Sequence, residues 1–378
     1  MRDTSAVGGL TLPEEPSLLG RVPGVFWAVL SSTSVLSLIG VVTVRSASAE
    51  LAIDYLPRQL AFLALGCLAL LLGTFVNYRA LMRWATPLYL FGLLAITLIL
   101  LFGHEAGGAR SWVGIAGLGG QPSDLAKITT GLFLARYLAG VRQGYLELPH
   151  LLVCVAIIAP PMFLIALQPD YGGAVMFLPM FGGMTLLAGV RPRLMARMAL
   201  VGVVLLAGIW VFGTQDYQRD RVLSFLSPDR DPLGDGYQVR QSKIAVGSGG
   251  VLGKGYMQGT QSQLRFLPAR HTDFIFAVLA EERGFVGVGL VLFFYIVYFA
   301  GGVKIASRAR DREGVLLSSG LLAVLCTYVL YNSAMVIGLV PVTGIPIPFL
   351  SYGGSFTLFT FFVTGLVLNV ERRRYVNR

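Results

Sequence analysis

The stretch Ser123-Asp-Leu-Ala-Lys127-Ile-Thr-Thr-Gly-Leu-Phe-Leu-Ala-Arg136-Tyr-Leu-Ala139 is apolar over most of its length yet carries Asp124, Lys127 and Arg136. Whether it crosses a membrane decides the fold, because wholly uncharged runs flank it. These are Val22–Val44, Gln59–Tyr78 and Trp84–Gly103 before it, then Leu151–Pro169, Tyr171–Val190, Met198–Gln215 and Gly284–Val303 after it. Each is close to the roughly 20 apolar residues a helix needs to span a bilayer. A last uncharged run, Gly314–Val370, is too long for one helix, and Pro341, Pro346 and Pro348 divide it in two. Only 13% of the 378 residues are charged, against roughly 25% in a soluble domain. Two or three soluble domains, the reading that length alone suggests, are therefore excluded.

Charge placement settles the doubtful stretch. If Ser123–Ala139 crosses, the chain has ten spans with both termini cytoplasmic, and the cytoplasmic segments hold 17 Lys and Arg against three (Arg45, Arg58, Arg110) in the short outer loops. That asymmetry satisfies the positive-inside bias. Without it the cluster Arg191, Arg193 and Arg197 would fall outside. The expected architecture is an all-α polytopic membrane protein of about ten helices. Residues 1–21 form a short tail, 22–371 a single membrane domain and 372–378 a basic tail. One large outer loop, 216–272, joins the seventh and eighth spans. The first apolar run is too long for a signal-peptide core and lacks a small-residue cleavage site. The net charge of +10 is then a matter of sidedness, and no nucleic-acid partner is expected. Cys67, Cys154 and Cys326 each lie inside an apolar run and read as small hydrophobes.

Ionisable residues at membrane depth are where function is sought in such a protein. Arg110 and Trp112 sit in a glycine-rich loop ahead of Gln121-Pro-Ser-Asp124-Leu-Ala-Lys127. Ser123 suits a helix N-cap, while Asp124 and Lys127 share a helix face and can neutralise each other. The pair reads either as a structural ion pair or as part of an anion site with Arg110. Gln168-Pro-Asp170-Tyr-Gly-Gly reads as a tight turn. Gly253-Lys254 invites comparison with a phosphate-binding loop, but Ser248 and Gly255 break the pattern. Backbone of that kind can still approach phosphate closely, with Lys243 and Lys254 as cations; a plain flexible loop is the alternative. In Ala269-Arg-His271-Thr-Asp273-Phe, Thr272 or Asp273 suits a helix cap. Glu281 follows eight residues later, about 12 Å along a helix axis, too far for a carboxylate dyad. The histidines His104, His150 and His271 show no metal-ligand spacing.

Together, Ala109-Arg-Ser-Trp112, Gln121-Pro-Ser-Asp-Leu-Ala-Lys127, Gln168-Pro-Asp170, Gly259-Thr-Gln-Ser-Gln-Leu-Arg-Phe-Leu-Pro268, His271-Thr-Asp-Phe-Ile-Phe-Ala277 and Gly344-Ile-Pro-Ile-Pro-Phe-Leu-Ser-Tyr-Gly-Gly354 resemble the SEDS family (shape, elongation, division and sporulation). The Gly-Thr-Gln stretch favours its RodA-like branch. The resemblance covers nearly the whole chain, and it departs at Asp124, where the family usually has glutamate.

The resemblance implies a glycosyltransferase that polymerises lipid II into peptidoglycan strands on the outer face of the bacterial cytoplasmic membrane during cell elongation. It implies Asp273 as the general base and a class B penicillin-binding protein as transpeptidase partner, with other elongation-complex membrane proteins possible. Arg110, Trp112, Lys127 and Lys243 become candidates for binding substrate, with Asp124 and Glu281 in support. A divalent cation, Mg²⁺ or Mn²⁺, can share the diphosphate charge without dedicated protein ligands. The competing readings are a lipid II flippase that forms no bond, and a scaffold that only recruits cell-wall enzymes. The suggestive groups cluster on one side of the membrane, whereas a transporter needs them at the midplane and on both sides.

Overall fold

The computed structural model describes residues 24–49, 54–106, 109–115, 118–141, 145–212 and 234–374. Both expected tails lie outside the described residues, the C-terminal one from 375 onward, as does the outer loop up to residue 233. In chain order the helices begin α1 Gly24–Ser48, α2 Leu56–Phe75, α3 Tyr78–Arg83, α4 Ala85–Phe102, α5 Pro122–Gly140 and α6 Leu148–Ala166. They continue α7 Tyr171–Val175, α8 Phe177–Leu187, α9 Pro192–Phe212, α10 Asp235–Ser248, α11 Thr260–Gln263, α12 Ile275–Ser307, α13 Arg312–Val336 and α14 Gly354–Arg373.

Seven of these (α1, α2, α4, α6, α12, α13, α14) are long and apolar enough to cross a membrane by length and composition. The other three expected span positions hold α5, the pair α7–α8 over Tyr171–Leu187, and α9. The chain is thus a multi-pass helical membrane protein. Its helical character has one small addition: the glycine-rich loop after α4 pairs as three short antiparallel strands, β1 His104–Ala106, β2 Ala109–Ile115 and β3 Leu118–Gly120.

The helix that decided the count, α5, is enclosed on nearly all sides, with Asp124, Lys127, Thr129, Thr130 and Leu134 buried. It packs against α4 and α13. Arg136 leaves the bundle by reaching the end of α3, where Nη1 donates to Met82 O (2.9 Å) and Arg83 O (2.7 Å). Those carbonyls have no partner inside their own helix, so the charge that argued against a span is spent closing the short helix α3. Arg312 likewise donates to Val141 O (2.7 Å) and Ala188 O (3.0 Å). Asn369 of α14 donates to Gly73 O (3.0 Å), Thr74 O (2.8 Å) and Val76 O at the end of α2. Between α2 and α14 the backbones nearly touch: a methyl at Gly365 would lie 2.3 Å from Leu70 O and 3.0 Å from Gly73 Cα. Small residues of this kind let membrane helices approach and gain dispersion contacts where no hydrophobic drive exists between them.

Candidate active site

The segment His271-Thr272-Asp273 enters α12 with no side-chain cap. The residue at the cap is Phe274, and the Thr272 hydroxyl donates back to Ala269 O (3.2 Å), so the expected Thr272 or Asp273 cap is not formed. What fixes the segment is its carbonyls. His271 O accepts from Tyr352 N (2.9 Å), Thr272 O from Ser351 Oγ (2.8 Å) and Asp273 O from Asn332 Nδ2 (2.8 Å). The loop supplying two of these donors is itself tied down: Ile347 N donates to Ser351 Oγ (2.9 Å) and the Tyr295 hydroxyl to Pro348 O. The Asp273 side chain is half-buried, and its Oδ2 faces Gly344, 3.7 Å from where a Cβ there would stand. Burial pushes this carboxyl up to about 6, only partly opposed by its hydrogen bond with Thr272. Beside it the His271 ring stacks on Tyr55 at 4.6 Å, with Tyr352 at 5.7 Å. Burial and Arg270 together lower the His271 pKa, which keeps the ring neutral at physiological pH.

A second polar group joins the starts of α5, α7 and α14. Gln121, not Ser123, is the cap position of α5, with Pro122 following, and it makes no side-chain cap bond. Its Nε2 instead donates to Asp170 Oδ2 (2.7 Å), while Asp170 Oδ1 caps α7 by accepting from Gly173 N (2.8 Å). The tight turn expected at Asp170 is present, and it is also a tether to α5. Burial raises the Asp170 pKa, with Lys127 and Gly173 N–H opposing. Lys127 Nζ donates to Asp124 Oδ1 (2.9 Å), and Asp124 Oδ2 accepts from Ser355 Oγ of α14 (3.0 Å). The ammonium also lies over the rings of Tyr328 (5.5 Å) and Phe359 (5.6 Å). Lys127 is fully buried and paired with Asp124, the arrangement that the ion-pair alternative describes.

Glu281 is also buried, and it organises chain rather than substrate. It accepts from Lys254 Nζ (2.8 Å), Thr260 Oγ1 (3.2 Å), Gln261 N (2.9 Å) and Ser262 N (3.2 Å). Of the glycines of 249–255, Gly249 and Gly253 allow close backbone approach to α12. A methyl at Gly253 would lie 2.1 Å from Glu282 O and one at Gly249 2.0 Å from Ala280 O. At Gly284 (φ 62°) α12 loses helical geometry, and the loop takes over its hydrogen bonding. Lys254 N and Gly255 N donate to Glu281 O and Glu282 O, while Phe285 N and Val286 N donate to Gly250 O and Val251 O. Lys243 is exposed on α10, its side chain crossing Gly338, whose φ of 72° suits glycine alone. Arg110 and Trp112 lie on β2; their side chains fall outside the described residues.

Among the described residues no group of three or more His, Cys, Asp or Glu stands close enough to hold a metal ion. Asp273 has no second carboxylate beside it in the contacts above.

A multi-pass helical membrane protein with a half-buried carboxylate, Asp273, whose backbone segment is held by three donors, is the class these features define. A family model described as cell cycle protein, of the FtsW, RodA and SpoVE type, matches residues 25–376. The peptidoglycan glycosyltransferase MrdB of Escherichia coli K12 is 37% identical over 324 residues, covering 85% of this chain and 87% of that protein. The peptidoglycan glycosyltransferase RodA of Treponema pallidum is 31% identical over 394 residues, covering 85% of this chain and 90% of that protein. Among solved structures, Thermus thermophilus RodA superposes with a TM-score of 0.71 at 31% identity, covering 95% of this chain and 99% of that one. A chain from a peptidoglycan synthase complex, described as coordinating polymerization and crosslinking, reaches 0.78 at 36% identity, covering 92% and 98%. This chain belongs to that SEDS family, and within it is RodA-like.

Proposed function

We propose that the chain is a peptidoglycan glycosyltransferase that polymerises lipid II on the outer face of the bacterial cytoplasmic membrane during cell elongation. The observation that carries this reading is Asp273, a half-buried carboxylate with its pKa raised to about 6 by desolvation. A base works best when its pKa sits near the operating pH, and such a group contributes typically 10²–10⁴ in rate. In the reaction Asp273 takes the proton from the 4-hydroxyl of the acceptor N-acetylglucosamine. The freed oxygen pair attacks the anomeric carbon of the donor N-acetylmuramic acid. The bond from that carbon to undecaprenyl diphosphate breaks, and the diphosphate leaves with its electrons.

The diphosphate needs positive charge at the same mouth. Arg110 on β2 and Lys243 on α10 are candidate cations for it; Lys127 serves by pairing with Asp124, which in turn accepts from Ser355 of α14. Trp112 suits the interfacial depth at which a lipid-linked sugar sits. A divalent cation, if one takes part, is held by diphosphate oxygens and water.

The relative described as part of a synthase complex supports a crosslinking partner, a class B penicillin-binding protein. An apolar groove of about 810 Å³ between α12 and α13, lined in part by Leu292, Tyr295, Ile296, Phe299, Val329 and Leu330, suits a single partner helix lying in the membrane. The test is to purify the chain and Asp273→Ala, alone and with the partner, and supply lipid II with Mg²⁺, Mn²⁺ or a chelator. Glycan ladders from the parent and none from an equally folded variant are expected. Equal ladders would move the base elsewhere, and no ladder under any condition would favour a transporter.

A further inference from the structure

Asp273 carries no charged partner in the contacts above, so its position is set by its backbone. Of the three donors that hold its segment, two come from the adjoining loop and one, Asn332 Nδ2, from the far end of α13. Asn332 is wholly buried near the C-terminal end of α13. Its two amide hydrogens go to different pieces of chain, one to Asp273 O (2.8 Å) and one to Ile345 O (2.7 Å). Neither carbonyl lies in a helix or strand. The amide therefore pins the base's backbone and the loop facing its carboxylate to one helix. Its own Oδ1 has no hydrogen-bond partner.

We infer that Asn332 is a positioning residue for glycosyl transfer, acting through the backbone of Asp273 and the Gly344–Ile345 wall of the site. This rests on the reading of Asp273 as the base. Misplacing a catalytic group by about 1 Å can cost on the order of 10²-fold in rate, and a two-donor clamp controls a displacement of that size. Asn369 supplies an internal comparison. It is equally buried, and it donates to Gly73 O and Thr74 O at the opposite end of the bundle, away from the site.

The experiment uses the full chain with its partner and lipid II, comparing Asn332→Leu, Asn332→Asp, Asn369→Leu and Asp273→Ala. Thermal unfolding in detergent is measured for each. Both Asn332 variants keep the side chain's approximate volume and lose the paired donors. They are expected to lower kcat at least tenfold with KM within twofold, while the melting of Asn332→Leu stays within the range of Asn369→Leu, which retains kcat. Loss of activity in step with the folded fraction, equal for the two asparagines, would overturn the positioning role. So would full kcat in Asn332→Leu beside an inactive Asp273→Ala. Retained polymerisation by Asp273→Ala would instead remove the base reading itself, and the two failures are distinguishable.

Discussion

At the scale of single residues, a half-buried carboxyl and a buried ammonium are held in different ways. Desolvation raises the Asp273 carboxyl to about 6, so the base is protonated and idle at low pH. We expect kcat to climb as pH rises through about 6 and then level, a limb that a pH–rate profile shows directly. The same shift has an opposite sign for stability. The native carboxyl binds its proton more tightly than the unfolded one, so stability falls as pH rises from about 4 to about 6. Asp273→Asn is accordingly expected to melt higher than the parent at pH 7, with the difference vanishing below pH about 4. Lys127 is the contrasting case, its charge cancelled by Asp124 at 2.9 Å. Asp124→Ala strands a buried ammonium and should cost about 3–5 kcal/mol in detergent unfolding; an unchanged midpoint would contradict the pairing. The Asp124–Lys127 spacing was legible in the sequence, because three residues place two side chains on one helix face. Asn332 was not legible. A lone asparagine in an apolar run carries no pattern, and its partners come from segments 13 and 59 residues away.

At the scale of elements, uncharged length identified the spans well. It erred where long-range bonds replace local ones. Ser123, Thr272 and Asp273 have the right chemistry for caps, yet Pro122 shifts the start of α5 and the carbonyl clamp fixes the start of α12. The glycines of 249–255 illustrate the same limit: in sequence they read as a loop or an anion cradle, and only the facing backbone of α12 shows what they admit. Glu281 ties down residues 254–262 through four hydrogen bonds. Glu281→Ala is therefore expected to speed amide exchange over 254–263 while α13 stays protected, as hydrogen-exchange mass spectrometry would record. Gly253→Ala should do more damage than its size suggests, since its φ of 82° and the 2.1 Å approach to Glu282 O both forbid a methyl. A loss of more than 2 kcal/mol is expected, at the large end of the usual range for a point change.

At the scale of the whole molecule, the arginines of one end illustrate how composition and structure meet. Arg136 and Arg312 were read as marks of sidedness, and they also close the carbonyl ends of neighbouring helices. The sidedness itself is open to test. In a background with Cys67, Cys154 and Cys326 replaced, a cysteine at Gln258 should react with an impermeant maleimide in intact cells, and one at Ser307 only after lysis. The reverse pattern would invert the topology. The break at Gly284 has a mechanical consequence. Four peptide groups flanking it, the carbonyls of Glu281 and Glu282 and the N–H groups of Phe285 and Val286, bond to the 250–255 loop, so lifting that loop would break these bonds at the edge of a solvent that cannot hydrate peptide groups. The loop is thus no lid over the base but a stiff handle on it: a load applied to α10 from outside is borne by the helix that begins two residues after Asp273.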